Sequence, residues 1–153
     1  MTKYKFYDSD IWGNEEYDIS GDEYVKLIDF CCDNSLVLSL KHFTTRTQIF
    51  KELESYKLEN SLVERIKMMN SINTQEISFY KVCPELRCIM LKYTKSIFAW
   101  ICGKGYKNPE DPAFYRDDGS ILFSSSIHNG ELTLYKCNED ANEIINNPLW
   151  NKE

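Results

Sequence analysis

The stretch PEDPAFYRDDGSILFSSSIHNGELTLY, residues 109–135, decides the fold, because two turn signals divide it into three short segments. Asp118-Gly119 and Asn129-Gly130 each place a glycine after a residue that tolerates a positive φ, as tight hairpin turns require. Apolar and polar residues alternate between the turns, which is the period of a half-buried strand. The sequence therefore predicts a three-stranded antiparallel meander over residues 113–116, 121–126 and 131–135.

Helix starts are indicated by capping boxes, in which a hydroxyl residue is followed three positions later by Glu or Gln. The pattern occurs at Ser20–Glu23, at Thr45–Gln48 and at Ser61–Glu64. After the first box, apolar residues recur at helical spacing up to Cys31. The apolar phase changes near residue 58, so we expect two consecutive helices, or one sharply kinked helix, between residues 45 and 69.

Further strands are predicted wherever short apolar or alternating runs occur, over residues 4–12, 36–40, 76–83 and 87–94. The run SIFAWIC, residues 96–102, is apolar throughout and fits a short buried helix or a strand equally. Asn138 is expected to cap a short final helix that ends before Pro148. The predicted fold class is α+β, a single domain over residues 1–153 whose antiparallel sheet and C-terminal β-meander pack against several helices.

The length of 153 residues is typical of one domain, which usually has about 100–150 residues. No apolar run approaches the roughly 20 residues that cross a bilayer, so no membrane association is expected. The N-terminal sequence MTKYKFYDSD has no apolar segment of the kind a secretion signal needs. We therefore expect a cytoplasmic protein.

Six cysteines and two histidines are the candidate ligands for metals and the candidate nucleophiles. The sequence has no CxxC, HExxH or EF-hand pattern, so no metal and no cofactor is expected. Thiols of a cytoplasmic protein are expected to stay reduced and to pack as small apolar groups. A thiol that meets His42 or His128 in the fold would instead be a candidate nucleophile.

Charge is distributed unevenly along the chain. Residues 1–33 hold nine acids and three bases, residues 34–107 hold six acids and twelve bases, and residues 108–153 hold nine acids and three bases. Each end therefore carries a net charge of −6 and the middle carries +6. If both ends fold onto one side, they form a negative surface that attracts a basic partner and repels nucleic acid.

Candidate partner-binding residues are the acids that stand beside aromatic side chains near the N-terminus and the acids of the meander. Aromatic residues next to charges are typical of interface hot spots, although the same aromatics are equally suited to core packing. Flanking prolines make residues 109–112 a stiff segment that presents its acids, and two further acids occupy the first turn. The candidates are Asp8, Asp10, Trp12, Glu15, Glu16, Tyr17, Asp18, Glu110, Asp111, Asp117 and Asp118.

The segment from Ser96 to His128 resembles the C-terminal half of small bacterial proteins that share a pattern of the form W…PEDL.FY..DG….S..HE. Pro112 and Asn129 depart from that pattern, at the positions of its Leu and its final Glu. Together with size and acidity, the segment resembles immunity proteins of bacterial toxin systems, including contact-dependent growth inhibition. The matching residues are Trp100, Pro109, Glu110, Asp111, Phe114, Tyr115, Asp118, Gly119, Ser126, Ile127 and His128.

This resemblance implies a cytoplasmic protein without catalytic residues that binds and neutralises a cognate toxin. The partner is expected to be a basic C-terminal toxin domain, with nuclease activity as the first expectation. Two other classes of function stay open at this point: a small cysteine-dependent hydrolase or transferase, and a regulatory adaptor that binds a different protein. The sequence does not indicate an oligomeric state.

Overall fold

One antiparallel sheet organises the part of the chain that the computed structural model describes, which is residues 2–7, 19–42, 47–103, 105–136 and 138–153. Its seven strands are β1 (Thr2–Tyr7), β2 (Val37–Lys41), β3 (Ile77–Lys81), β6 (Glu110–Tyr115), β7 (Ile121–Ser126), β8 (Glu131–Lys136) and β9 (Trp150–Lys152). Their order across the sheet is β3-β2-β6-β7-β8-β1-β9. Two short strands, β4 (Cys102–Gly103) and β5 (Tyr106–Lys107), form a separate ribbon.

The predicted meander is confirmed, and it forms the centre of the sheet as β6, β7 and β8. Gly119 has a φ of 90° at the first connection, where its amide donates to the carbonyl of Arg116 at 3.0 Å. The second connection is longer than a two-residue turn, because a 3₁₀ turn over Ile127–Asn129 precedes Gly130. Gly130 then takes a φ of 66°, so glycine supplies a left-handed backbone at both connections.

The described helices are α1 (Gly21–Asp33), α2 (Gln48–Leu53), α3 (Ser61–Met69), α4 (Pro84–Tyr93) and α5 (Asn142–Ile145). The first and third capping boxes lie at the starts of α1 and α3, whereas α2 begins at Gln48, and Thr45 of the second box lies outside the described residues. Ser20 stands at the N-cap of α1 without a side-chain cap bond. Asn60 rather than Ser61 caps α3, because its side-chain oxygen accepts from the amide of Val63 at 2.9 Å.

One expectation about secondary structure is corrected. The strand predicted over residues 87–94 is wrong, because residues 87–93 belong to α4, which begins with Pro84 in its first turn and has Thr94 as its C-cap. Leu86, Ile89 and Met90 are buried at helical spacing, and a mixed apolar run of this length fits either period. The apolar run 96–102, for which a short helix or a strand was expected, contains a 3₁₀ turn over Ile97–Ala99 and the first residue of β4, and β9 near the C-terminus was not predicted.

Helices cover both faces of the sheet, because alternate side chains of each strand point to opposite sides. The larger core cluster joins Leu38 and Phe114 to α1, α4 and α5. The smaller cluster joins Val37, Ala113 and Tyr115 to α3. The two faces are therefore packed against different helices, with α1 and α5 on one side and α3 on the other.

Polar contacts fix α1 against α4. The hydroxyl of Tyr24 shares a hydrogen bond with Thr94 and accepts one from the indole N–H of Trp100 at 2.8 Å, all within the core. Burial raises the pKa of Tyr24 to about 12. Arg87 adds a salt bridge to Asp29 near the surface. Across the described ranges, no helix is long and apolar enough to span a membrane.

Candidate functional site

An elongated groove runs between α1 and the C-terminal segment that contains α5. It consists of two adjoining cavities of about 440 Å³ and 330 Å³, which share Lys26, Glu143 and Ile144 in their walls. Among the described residues, six carboxylates and one ammonium group line it, and we refer to this surface as the acidic groove. Its charged lining residues are Glu23, Lys26, Asp29, Asp33, Glu139, Asp140 and Glu143.

Helix α1 supplies one wall of the acidic groove because its apolar residues recur on one face. Leu27, Ile28 and Cys31 are fully buried there, so the acids of α1 are left on the outer surface. Ala141 and Ile144 are buried in the same way and hold the C-terminal segment against the molecule. The result is that acids from the first and the last third of the chain line one groove.

Asn138 secures this arrangement at the end of α1. Its side-chain oxygen accepts from the amide of Asp140 at 3.0 Å and so caps the 3₁₀ turn over Glu139–Ala141. Its amide nitrogen donates to Asn34 Oδ1 at 2.9 Å, across 104 residues of sequence. One asparagine therefore both begins the C-terminal helical segment and joins it to the end of α1.

Acids outnumber bases among the side chains that line the acidic groove. Asp29 is paired with Arg87, and Glu139 accepts a hydrogen bond from Asn142 at 2.7 Å. Amide donors such as Asn142 satisfy an oxygen without cancelling its charge. Because like charges that line one surface add to its potential, the described lining gives the groove a negative potential that favours cations.

The wider cavity of the groove has an apolar lining between its charged rims. Ile19, Leu27 and Ile144 contribute aliphatic groups, and Pro148 and Trp150 close the wall. Trp150 is itself 7% exposed and packs edge-on against Phe6, with ring centroids 5.5 Å apart. This wall is therefore held in place by the core and is present before any partner binds.

A second polar cluster lies on β6, and we refer to it as the bulge cluster: Cys102, Glu110, Asp111, Ile127 and His128. Glu110 is only 2% exposed, and its Oε1 accepts from the amide of Cys102 at 2.8 Å and lies 2.9 Å from His128 Nε2. Asp111 Oδ1 accepts from the amide of Ile127 at 2.8 Å. The cluster joins the start of β6 to the connection that follows β7.

A β-bulge explains the backbone of this cluster. Ser39 pairs with Ala113 but Lys41 pairs with Glu110, so β6 has one more residue than β2 over this interval. The extra length accommodates Pro112, which has no N–H to donate to the sheet. Asp111 takes a φ of 56°, a left-handed value that is uncommon for residues other than glycine. Burial raises the pKa of the Asp111 carboxyl above its ordinary value.

The structure places the predicted site residues in different regions. Asp8, Asp10, Trp12, Glu15, Glu16, Tyr17 and Asp18 lie outside the described residues. Glu110 and Asp111 were expected on a stiff exposed loop; they belong to strand β6, where the bulge turns their carboxylates toward protein donors. Neither of these two carboxylates lines the acidic groove.

Asp117 and Asp118 occupy the first turn of the meander, as expected. Asp118 Oδ1 accepts from the amide and the hydroxyl of Ser120 at 2.9 Å and 2.6 Å, which lowers the pKa of its carboxyl. This turn lies beside α3, since Asn70 donates to the carbonyl of Gly119 at 3.2 Å. The turn acids are thus next to α3, whereas the acidic groove is formed by α1 and α5.

The acids that do converge were absent from the predicted site, although the charge count placed them in the two acidic ends. Asp22 and Glu23 had a local explanation as residues of the first turn of a helix. The missing information was the contact between α1 and α5, because these two helices are separated by more than 100 residues of sequence. The overlooked residues of the acidic groove are Glu23, Asp29, Asp33, Glu139, Asp140 and Glu143.

The thiols of the described residues vary in exposure. Cys31 is buried, Cys32 and Cys83 are partly buried, and Cys88 and Cys102 are exposed. Burial raises the pKa of the Cys32 thiol to about 12, so this cysteine is a poor nucleophile at neutral pH. Within the described ranges, no three His, Cys, Asp or Glu side chains are arranged to hold a metal ion.

Comparison with known proteins does not identify a relative. No family model, no curated protein and no solved structure gives a significant match to the chain.

Proposed function

We propose that this protein is an immunity protein that acts in the cytoplasm by binding and neutralising a basic toxin domain. The observation that carries the proposal is the acidic groove, in which acids from both ends of the chain line one surface. The resemblance of residues 96–128 to immunity proteins supports the same class of function. The binding role is assigned to the side chains of the groove, in place of the meander acids Glu110, Asp111, Asp117 and Asp118.

Electrostatics makes a nuclease domain the partner of first choice. A nuclease needs a cationic surface to hold the phosphates of its substrate. A protein with a negative groove is attracted to that surface, and such attraction raises association rates above those of neutral pairs. Binding there excludes nucleic acid from the same cations, so inhibition needs no catalytic group in the inhibitor.

The test uses the full chain and the C-terminal domain of the toxin encoded by the adjacent upstream gene. Co-expression of the wild-type chain is expected to restore growth of cells that produce the toxin domain. The double variant Asp140→Lys/Glu143→Lys is expected to lose protection and to bind the toxin domain at least about 100-fold more weakly in calorimetry, as reversal of central interface charges does. Wild-type binding should weaken as salt is raised.

A matched control separates the effect of charges in the groove from the effect of the protein's net charge. Asp117→Lys/Glu59→Lys makes the same change in charge at two exposed positions outside the groove. This control is expected to protect cells as the wild type does. Equal loss of protection by both double variants would contradict a role for the groove, and failure of the wild-type chain to bind the toxin domain would refute the proposed function.

One observation favours a cysteine-dependent activity as the second candidate. Glu110 Oε1 accepts from the amide of Cys102, whose thiol is exposed, and the same oxygen lies beside His128. A carboxylate that orients an imidazole near a thiol is a feature of cysteine hydrolases. If this candidate is right, Cys102→Ser abolishes hydrolysis of thioester and peptide substrates by the purified chain, and alkylation of the wild-type chain by iodoacetamide abolishes it too. Full protection against the toxin by Cys102→Ser would support the first candidate.

A further inference from the structure

We propose that the wider cavity of the acidic groove receives an apolar side chain from a basic amphipathic helix of the partner. This inference rests on the proposed function and specifies the segment of the toxin that the groove recognises. The cavity of about 440 Å³ lies within the size range of protein ligand sites and offers space for one large side chain. Ile144, Pro148 and Trp150 line it with apolar groups.

The apolar wall is rigid. Leu27 is fully buried, Ile19 is 3% exposed and Trp150 is 7% exposed, so each is fixed by packing against the core. The apolar surface that the cavity offers a partner is the exposed ring of Pro148 and the small exposed edges of Ile144 and Trp150. The buried side chains behind them need no ordering on binding, which lowers its entropic cost. Interface hot spots commonly consist of an anchor side chain in such a preformed cavity.

The charges around the cavity select the partner. Glu23 on α1 and Glu143 on α5 stand on its opposite rims, and the groove continues past Asp29 and Asp33. A segment that places an apolar side chain between these rims brings its flanking residues next to carboxylates. Lysine and arginine complement those positions, whereas acidic residues are repelled.

The length of the groove fits about three helical turns. Glu23 and Asp33 are ten residues apart on α1, which corresponds to about 15 Å at a rise of about 1.5 Å per residue. A helix with apolar residues three and four positions apart presents one apolar stripe, and lysines on both sides of the stripe would reach the two rims. The predicted partner segment is thus an amphipathic helix of about ten residues or more.

The probes are three fluorescent 15-residue peptides: a leucine/lysine peptide with helical spacing, a scrambled peptide of the same composition, and a peptide in which every leucine is replaced by glutamine. Fluorescence anisotropy is measured with the full chain. The helically spaced peptide is expected to bind at least about 10-fold more tightly than either control, which corresponds to about 1.4 kcal/mol. Equal binding by all three would overturn the inference, because charge alone would then explain the affinity.

A pair of variants tests the cavity itself. Pro148→Lys adds a cation at an exposed position of the cavity wall and is expected to reduce binding of the helically spaced peptide at least about 10-fold. Gln75→Lys adds the same charge at an exposed position outside the groove and should leave binding unchanged. If both variants behave alike, the inference fails.

Failure of this inference can be distinguished from failure of the proposed function. If the toxin domain binds the wild-type chain and Pro148→Lys with equal affinity, the anchor inference is overturned while the proposed function stands. If the helically spaced peptide binds selectively but the chain neither binds nor neutralises the toxin domain, the proposed function is overturned.

Discussion

The acidic groove and the bulge cluster both bring carboxylates together, but their surroundings differ. In the bulge cluster, Glu110 and Asp111 accept hydrogen bonds from the amides of Cys102 and Ile127, and the imidazole of His128 lies against Glu110. In the acidic groove, acids line an open surface, and Lys26 is the one basic side chain among the lining residues that the structure describes. Carboxylates enclosed by protein donors stabilise the fold, whereas carboxylates around an open groove create a negative electrostatic potential.

This difference has a measurable consequence. Removing a carboxylate of the bulge cluster leaves donors without a partner inside the protein, which costs free energy of unfolding. Removing a carboxylate of the acidic groove relieves repulsion and leaves nothing buried unsatisfied. The two regions are therefore expected to respond to the same chemical change with opposite signs.

The largest expected effect is at Glu110. Glu110→Ala is expected to lower the free energy of unfolding by about 2–3 kcal/mol, because the amide of Cys102 and the ring of His128 lose their shared acceptor. Glu110→Gln keeps a carbonyl oxygen in place and should cost about 1 kcal/mol. Urea denaturation measures both. A loss below about 0.5 kcal/mol for Glu110→Ala would show that the cluster does not stabilise the bulge.

A smaller effect is expected at Asp111, where the backbone is left-handed. Asp111→Ala removes the acceptor for the amide of Ile127, and alanine adopts a left-handed backbone less readily than aspartate. Together these changes should lower the free energy of unfolding by about 1–2 kcal/mol. Asp111→Asn keeps an acceptor and tolerates the same φ, so its stability should lie within about 0.5 kcal/mol of the wild type. Equal destabilisation by both substitutions would exclude this explanation.

The raised pKa of the Asp111 carboxyl predicts that the stability of the protein depends on pH. Because burial raises its pKa in the folded protein, the folded state retains this proton over a range where the unfolded state has released it. This group therefore costs no stability below its unfolded pKa, and the protein loses stability as the pH rises from that value through the raised folded pKa. Relative to the wild type, Asp111→Asn should gain stability as the pH rises from the ordinary range of an Asp carboxyl through the raised pKa of the folded protein. Parallel pH profiles for the two proteins would contradict the shift.

The smallest expected effect is in the acidic groove. Glu143→Gln should change the free energy of unfolding by no more than about 0.5 kcal/mol, with a gain as the expected sign. Raising the salt concentration screens repulsion among the groove acids, so the gain should shrink at about 1 M salt, where the Debye length is about 3 Å. A destabilisation above about 1 kcal/mol would show that Glu143 has a structural role like that of Glu110.

The sequence predicted the central meander because its signals are local. Asp118-Gly119 and Asn129-Gly130 specify turns by their backbone preferences, and alternation specifies the faces of the strands between them. The position of α1 and the break between α2 and α3 followed from helical spacing in the same way. The strand predicted over residues 87–94 was wrong because an apolar run of that length fits both periods, and the first-turn proline of α4 was the better guide.

Sequence by itself determined the fold class, the meander and the accumulation of acids at both ends, since these depend on residues close together in the chain. Tertiary structure alone decided which acids meet. The packing of α5 on α1 placed Asp33 and Glu139 on one groove, and Glu110 is buried at the bulge of β6. Charge acts through distance in space, and a one-dimensional pattern contains no distance between residues that are a hundred positions apart.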